Sequence, residues 1–297
     1  MKIQASITIP YAVANYAEMR DRGFYYVDKT DYIPRLEAYK APVFLRPRRF
    51  GKSLLVSTLA HYYDRTLAHR FEDLFGGTYI GSHPTPEHNR YMIIRYDFSA
   101  MVMADNMERL EQNFNILNRG PVEIMVTHNR DLFGNFQFST RENAAQMLEE
   151  ALTYAREHGL PPVYILIDEY DNFTNVVLNE QGNEVYHALT HASGFYREIF
   201  KKFKGMFERI FMTGVSPVTL DDLTSGFNIG WNISTDFQFN MMLGFSETDV
   251  RTMLQYYKDA GQLSADTDID AMIQEMKPWY DNYCFAKESL ERDPKMF

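Results

Sequence analysis

The run Arg46-Pro47-Arg48-Arg49-Phe50-Gly51-Lys52-Ser53 holds the residue types needed to grip a phosphate. In the pattern G-x-x-x-x-G-K-[ST], a loop between a strand and a helix aims backbone N–H groups at the phosphates, and the helix start adds partial positive charge. Gly51 permits close backbone approach, Lys52 reaches the β- and γ-phosphates, Ser53 offers a hydroxyl to Mg2+, and Leu54 opens the helix. One departure stands out: Arg46 occupies the place of the first glycine, so a side chain sits where the loop begins its tight turn. Alone, Gly51-Lys52-Ser53 reads equally as a solvated turn capping a helix. Its complement is Asp168-Glu169, directly after the apolar run 163–167. There Asp168 would hold Mg2+, directly or through water, and Glu169 would polarise the attacking water. Two solvated acids at a strand end are the alternative. The cofactors that this pairing calls for are ATP and Mg2+.

Further candidates follow in the chain. Thr213 precedes Gly214-Val215-Ser216-Pro217, and Thr213 or Ser216 would sense the γ-phosphate; a plain turn rich in Gly, Ser and Pro is the competing reading. Arg48 and Arg49 would neutralise phosphate charge or act across a subunit interface, unless they are simply solvated. Arg251 is a weaker candidate of the same kind.

The elements that must position these residues can be read from apolar spacing. Short apolar runs predict strands at 42–45, 91–98, 163–167 and 209–213, and 24–27 is a further β-prone run. The run 163–167 is uninterrupted, as in a strand buried on both faces. Helices are predicted over 30–39, from Leu54 onward, and over 105–118, 141–158, 185–204, 247–260 and 268–277. Gly159 and Pro161 stop one of them, Ser246 and Asp249 form a capping box for another, and Gly261 ends it. Strands alternating with helices give an α/β fold with a mostly parallel sheet flanked by helices. Room for a whole additional strand between Ser53 and Asp168, supplied by 91–98, favours the ATPase branch of the P-loop NTPases over nucleotide kinases or GTPases. The expected division is a P-loop domain over 1–240 and a helical lid or linker over 241–297. The ending 292–297 lacks an obvious finish, which suggests a truncation before a C-terminal domain.

Bulk properties bound the rest. A chain of 297 residues with 45% hydrophobic and 15% aromatic content can bury a substantial core. Its apolar runs are too short to span a bilayer, and the first ten residues carry no signal-peptide pattern, so a cytoplasmic location is expected. Net charge of −10 argues against nucleic-acid binding through bulk electrostatics. Cys284 is the sole cysteine, which excludes an internal disulfide and a Cys-based zinc site. The spacing of His61, His69, His83 and His88 fits no metal motif.

Several of these segments together resemble the bacterial AAA-ATPase-like family: 26–30, the 44–53 loop, Ile167-Asp168-Glu169-Tyr170-Asp171 and Thr213-Gly214-Val215-Ser216-Pro217. So do Gly226-Phe227-Asn228, Asn232-Ile233-Ser234, Leu243-Gly244-Phe245-Ser246 and Trp279-Tyr280-Asp281-Asn282-Tyr283. The resemblance makes Arg46 a family trait of the loop. It also implies a C-terminal domain similar to PD-(D/E)XK nucleases, although no such constellation occurs in these residues. A nucleic-acid substrate would come only through that absent domain, and a homo-oligomer is compatible with the pattern. Two functions are then expected to compete: Mg-dependent ATP hydrolysis, with Lys52, Glu169 and Thr213 catalytic, and a nucleotide-gated switch that binds ATP or ADP and scarcely hydrolyses it.

Overall fold

The computed structural model describes residues 10–280 except 105, 191–193, 204–206 and 218–229, together with 283–286. The segment Gly226-Phe227-Asn228, the pair Asp281-Asn282 and the ending 292–297 lie outside the described residues.

Strands β1 (Pro42–Leu45), β2 (Met92–Asp97), β3 (Val163–Asp168), β4 (Arg209–Gly214) and β5 (Trp231–Asn232) form one sheet in the order β2-β3-β4-β1-β5, all parallel. Successive side chains of a strand point to opposite faces, and here both faces are covered. Val43, Ile165, Ile167, Ile210 and Met212 enter one core with helices Met107–His128, Ala144–Glu157 and Phe195–Phe203. Phe44, Tyr164, Leu166 and Phe211 enter the other with Leu55, Val56, Leu59 and Tyr62 of helix Lys52–Tyr63. This double burial explains why the central strands read as continuous apolar runs.

The strand at 91–98, taken from the sequence as the additional one, is β2 and lies at the edge of the sheet. The strand standing between β1 and β3 is β4. β2 does lie between the phosphate loop and Asp168 in the chain, as expected, and β4 separates their strands in space, because a parallel sheet is joined by crossovers that free spatial order from chain order. Other elements differ from expectation. Residues 24–27 form no strand; Tyr26 packs edge-on against Tyr16 with ring centres 5.4 Å apart, and Tyr25 lies 4.7 Å from Tyr256. The helix expected over 105–118 extends through Pro121 to His128, with Phe114, Val122 and Met125 buried along it. In place of one helix over 185–204 there are Asn183–Thr190 and Phe195–Phe203, and helix Asn172–Gln181 was not expected.

Toward the C-terminus, helices Glu247–Asp259 and Ile269–Met276 pack on each other through Val250, Leu254 and Ile273. The capping box is present in both directions: Ser246 N–H donates to Asp249 Oδ2 at 2.7 Å and Asp249 N–H to Ser246 Oγ at 3.0 Å. Asp249 also pairs with Lys29 at 2.7 Å, tying this helical pair to the N-terminal segment. Among the described residues no helix is long and apolar enough to cross a membrane.

Candidate functional site

Parallel strands bring their C-terminal ends to one edge of the sheet, where ligands bind in open α/β folds. That edge collects Leu45 and the 46–51 loop, Asp97, Asp168 and Gly214. Gly51 has φ +91°, a left-handed conformation that glycine adopts without strain, and caps helix Lys52–Tyr63 with no side-chain hydrogen bond. The N–H groups of the first turn are therefore available to an anion.

Lys52 is buried, its Nζ lying 3.2 Å from Pro47 O and 3.2 Å from Glu169 Oε1. Glu169 carries φ +50°, an unusual conformation for a residue with a side chain, of the sort that clusters at functional sites. Asp168 is buried, and burial pushes its carboxyl above the usual carboxylate range; Asp97 and Glu169 push the same way, while a hydrogen bond with Ser53 and the charge of Arg95 pull it back. The structure thus brings Lys52, Ser53, Asp168 and Glu169 into one cluster. It adds Asp97, directly opposite Asp168 in the β2–β3 register, which sequence reading passed over. A carboxylate at the end of a second parallel strand was the available signal.

Arg46 points elsewhere. Its side chain is 1% exposed, donates to Leu45 O at 2.8 Å and Ser234 O at 2.7 Å, and reaches Phe239 O and Asn240 O at 3.3 and 3.5 Å. Burial pushes the guanidinium down to about 9, so it still carries its charge at neutral pH. The residue replacing the first glycine is therefore an internal brace for the loop, its charged head turned to carbonyls and away from any phosphate. Arg46→Lys, which cannot span these acceptors, is expected to lower stability by about 2 kcal/mol, the scale of hydrogen bonds to a charged group, as read by urea unfolding.

Thr213 is buried at the end of β4 and donates its hydroxyl proton to Phe44 O at 2.8 Å, which ties β4 to β1 and leaves no proton to offer a phosphate. Beyond it, the buried carboxylate of Asp171 accepts from Val215 N–H at 3.1 Å and Ser216 N–H at 2.6 Å, and Tyr170 donates to Ser216 O at 2.5 Å. Asp171 and Tyr170, absent from the predicted site, clamp the ends of β3 and β4 together. Arg251 is engaged by Glu247 and Asp270 at 3.2 and 2.6 Å. Arg48 and Arg49 are exposed and border a cavity of about 450 Å³ beside the loop. Phe50 lines it from the loop, Leu54 from helix Lys52–Tyr63, Tyr26 and Lys29 from the N-terminal segment, and Leu243, Trp279 and Tyr283 from the C-terminal part; no carboxylate is among its described lining residues.

A protein-family model described as a predicted AAA-ATPase (AAA-ATPase_like) matches residues 10–224. A curated relative from Azotobacter chroococcum mcd 1, titled "Uncharacterized protein in vnfD 5'region", is 28% identical over 286 residues, covering 95% of this chain and 49% of the relative. The chain thus spans about half the length of that relative. No solved structure matches.

Proposed function

Because this chain belongs to the predicted AAA-ATPase-like family, we propose that it is an ATPase of the P-loop class, binding Mg-ATP at the 46–53 loop and cleaving the β–γ anhydride. The observation that carries the reading is the meeting of Lys52, Ser53, Asp168 and Glu169 at one sheet edge, with β4 between the loop strand and the Asp168 strand as in the ATPase branch. Backbone N–H groups at the start of helix Lys52–Tyr63 receive the phosphates, and Lys52 exchanges its contact with Glu169 for phosphate oxygens. Ser53 and Asp168 form a hard oxygen donor set that suits magnesium, and the ion would supply charge neutralisation to the phosphates. Glu169 takes a proton from water as its oxygen attacks the γ-phosphorus, and the bridging oxygen leaves with ADP. The nucleoside lies in the adjoining cavity, whose rings and aliphatic side chains suit a flat base and whose Arg48 and Arg49 suit phosphate charge. Thr213 acts by fixing β4 against β1. Residues 241–297 serve as a helical lid or linker, and in longer relatives the nucleotide cycle would drive or gate a nuclease-like C-terminal domain.

The test is a thermal shift followed by single-turnover phosphate release. Mg-ATP at about a hundredfold excess over Kd should stabilise the protein by about 2.7 kcal/mol, and Lys52→Ala should abolish the shift. Phosphate release that needs Mg2+ supports hydrolysis. Binding without release, with DNA or RNA present or absent, supports a nucleotide-gated switch instead, a reading to which the Lys52–Glu169 contact lends weight because it occupies the base. No shift with Mg-ATP would sink both.

A further inference from the structure

Both ends of the phosphate loop are touched by one short segment of the chain that lies beyond the C-terminal helical pair. At the first loop position, the Arg46 guanidinium is sandwiched between two rings, 4.1 Å from the centre of Phe44 and 4.0 Å from that of Phe285. At the other end, Phe50 meets Tyr283 edge-on at 4.8 Å and Phe285 at 5.5 Å. Tyr283 and Phe285 stack nearly parallel, with centres 5.7 Å apart, so they present a paired aromatic face to the loop. The loop needs outside support: Arg49 and Gly51 both have positive φ, at +71° and +91°, and Phe50 O is held by Gly244 N–H at 3.2 Å. The terminal N–H groups of Arg46 donate in the guanidinium plane to carbonyls, while its buried Nε–H has no hydrogen-bond partner; the two flat faces are left for rings.

We propose that Tyr283 and Phe285 form a strap whose seating on Arg46 and Phe50 positions the phosphate loop, so that binding of nucleotide phosphates and seating of the strap reinforce each other. The proposal rests on the reading of 46–53 as the nucleotide site. The loop backbone cannot leave its anion-binding shape without carrying Arg46 and Phe50 away from the strap, and a strap that leaves uncovers one face of a buried cation. Coupling of this kind is reciprocal: whatever the strap adds to phosphate affinity, bound phosphate adds to strap seating. It also gives a physical reason for an arginine at the position of the first glycine, since glycine offers the strap nothing to grip.

Cys284 lies between the two strap rings and is the sole cysteine, so its rate of alkylation by a maleimide reports strap seating in the unaltered protein. Mg-ADP should slow that rate several-fold. Calorimetric titration with Mg-ADP should show Phe285→Ala and Phe285→Leu binding on the order of tenfold more weakly, a loss of about 1.4 kcal/mol. Phe285→Tyr, which keeps a ring face, should retain parent affinity, and Tyr283→Ala should weaken binding in the same direction. Phe285 is only half-buried, so these variants should fold, and urea unfolding without nucleotide checks that they do. Parent-like affinity in Phe285→Ala overturns the proposal, as does rescue by Leu equal to rescue by Tyr, which would make Phe285 mere filler. A parent that fails to bind Mg-ADP overturns both the coupling and the site reading; a parent that binds, with Cys284 labelling unchanged, overturns the coupling alone.

Discussion

Glu169→Gln is expected to cut single-turnover ATP hydrolysis by about 10²–10⁴-fold, the range for loss of a general base, while leaving Mg-ATP binding intact. Glutamine keeps the length and hydrogen-bonding capacity of the side chain and loses the ability to take a proton from water. The surrounding geometry makes the two effects separable. Glu169 meets Lys52 at 3.2 Å, and Lys52 is buried. With a neutral partner, Lys52 is left with Pro47 O at 3.2 Å and no opposing charge at that contact, so phosphate oxygens no longer compete with a carboxylate for it. Nucleotide affinity should therefore hold or rise as turnover falls. Asp168→Asn should behave differently, weakening the magnesium-dependent part of binding, because the carboxylate lost there is the one beside Ser53. Hydrolysis at the parent rate by the Gln variant would remove Glu169 from its catalytic role; lost binding in that variant would instead mean that Glu169 builds the nucleotide site.

What could be read in the sequence followed from local causes. β1, β3 and β4 announce themselves because burial on both faces calls for apolar residues through the middle of the strand, as in Val163 to Ile167. The Ser246–Asp249 box could be read because both partners lie within one helical turn. The cluster of Lys52, Ser53, Asp168 and Glu169 was legible from its two ends, since phosphate loops and acidic strand ends have fixed positions relative to a strand. What escaped depends on contacts distant in sequence. Arg46 is explained by Ser234, Phe239, Asn240 and Phe285, none of which a local pattern can nominate. β5 has only two residues, both exposed, and so carries neither apolar run nor alternation. Thr213 sits at the strand end where a phosphate sensor was sought, yet the sequence could not say that its proton goes to Phe44 O across the sheet.

The same long-range logic makes Gly214 a glycine whose replacement should damage the fold and the site together. Its backbone lies outside the left-handed region, so alanine meets no conformational penalty there; the obstacle is space. A Cβ built on Gly214 would stand 2.3 Å from Asp171 Oδ1 and 2.7 Å from the Tyr170 ring, and neither group is free to retreat. Asp171 is fixed by Val215 N–H, Ser216 N–H and the Asn175 amide, the last at 3.1 Å, and Tyr170 by its bond to Ser216 O. Gly214→Ala must therefore push β4 away from β3 or break the clamp, at a cost of about 3 kcal/mol, the upper end of what overpacking a buried site costs. For a chain of this size that corresponds to a fall in Tm of about 5 °C. Because the clamp aligns the end of β4 with Glu169, hydrolysis should fall even at temperatures where the variant remains folded. Gly120→Ala is the matched control: Gly120 lies within helix Met107–His128 with open space around its missing Cβ, and alanine there should be neutral or stabilising by about 0.5–1 kcal/mol. Calorimetric unfolding of the two variants beside the parent decides the matter, and a Gly214→Ala protein as stable and as active as the parent would show that the clamp can yield.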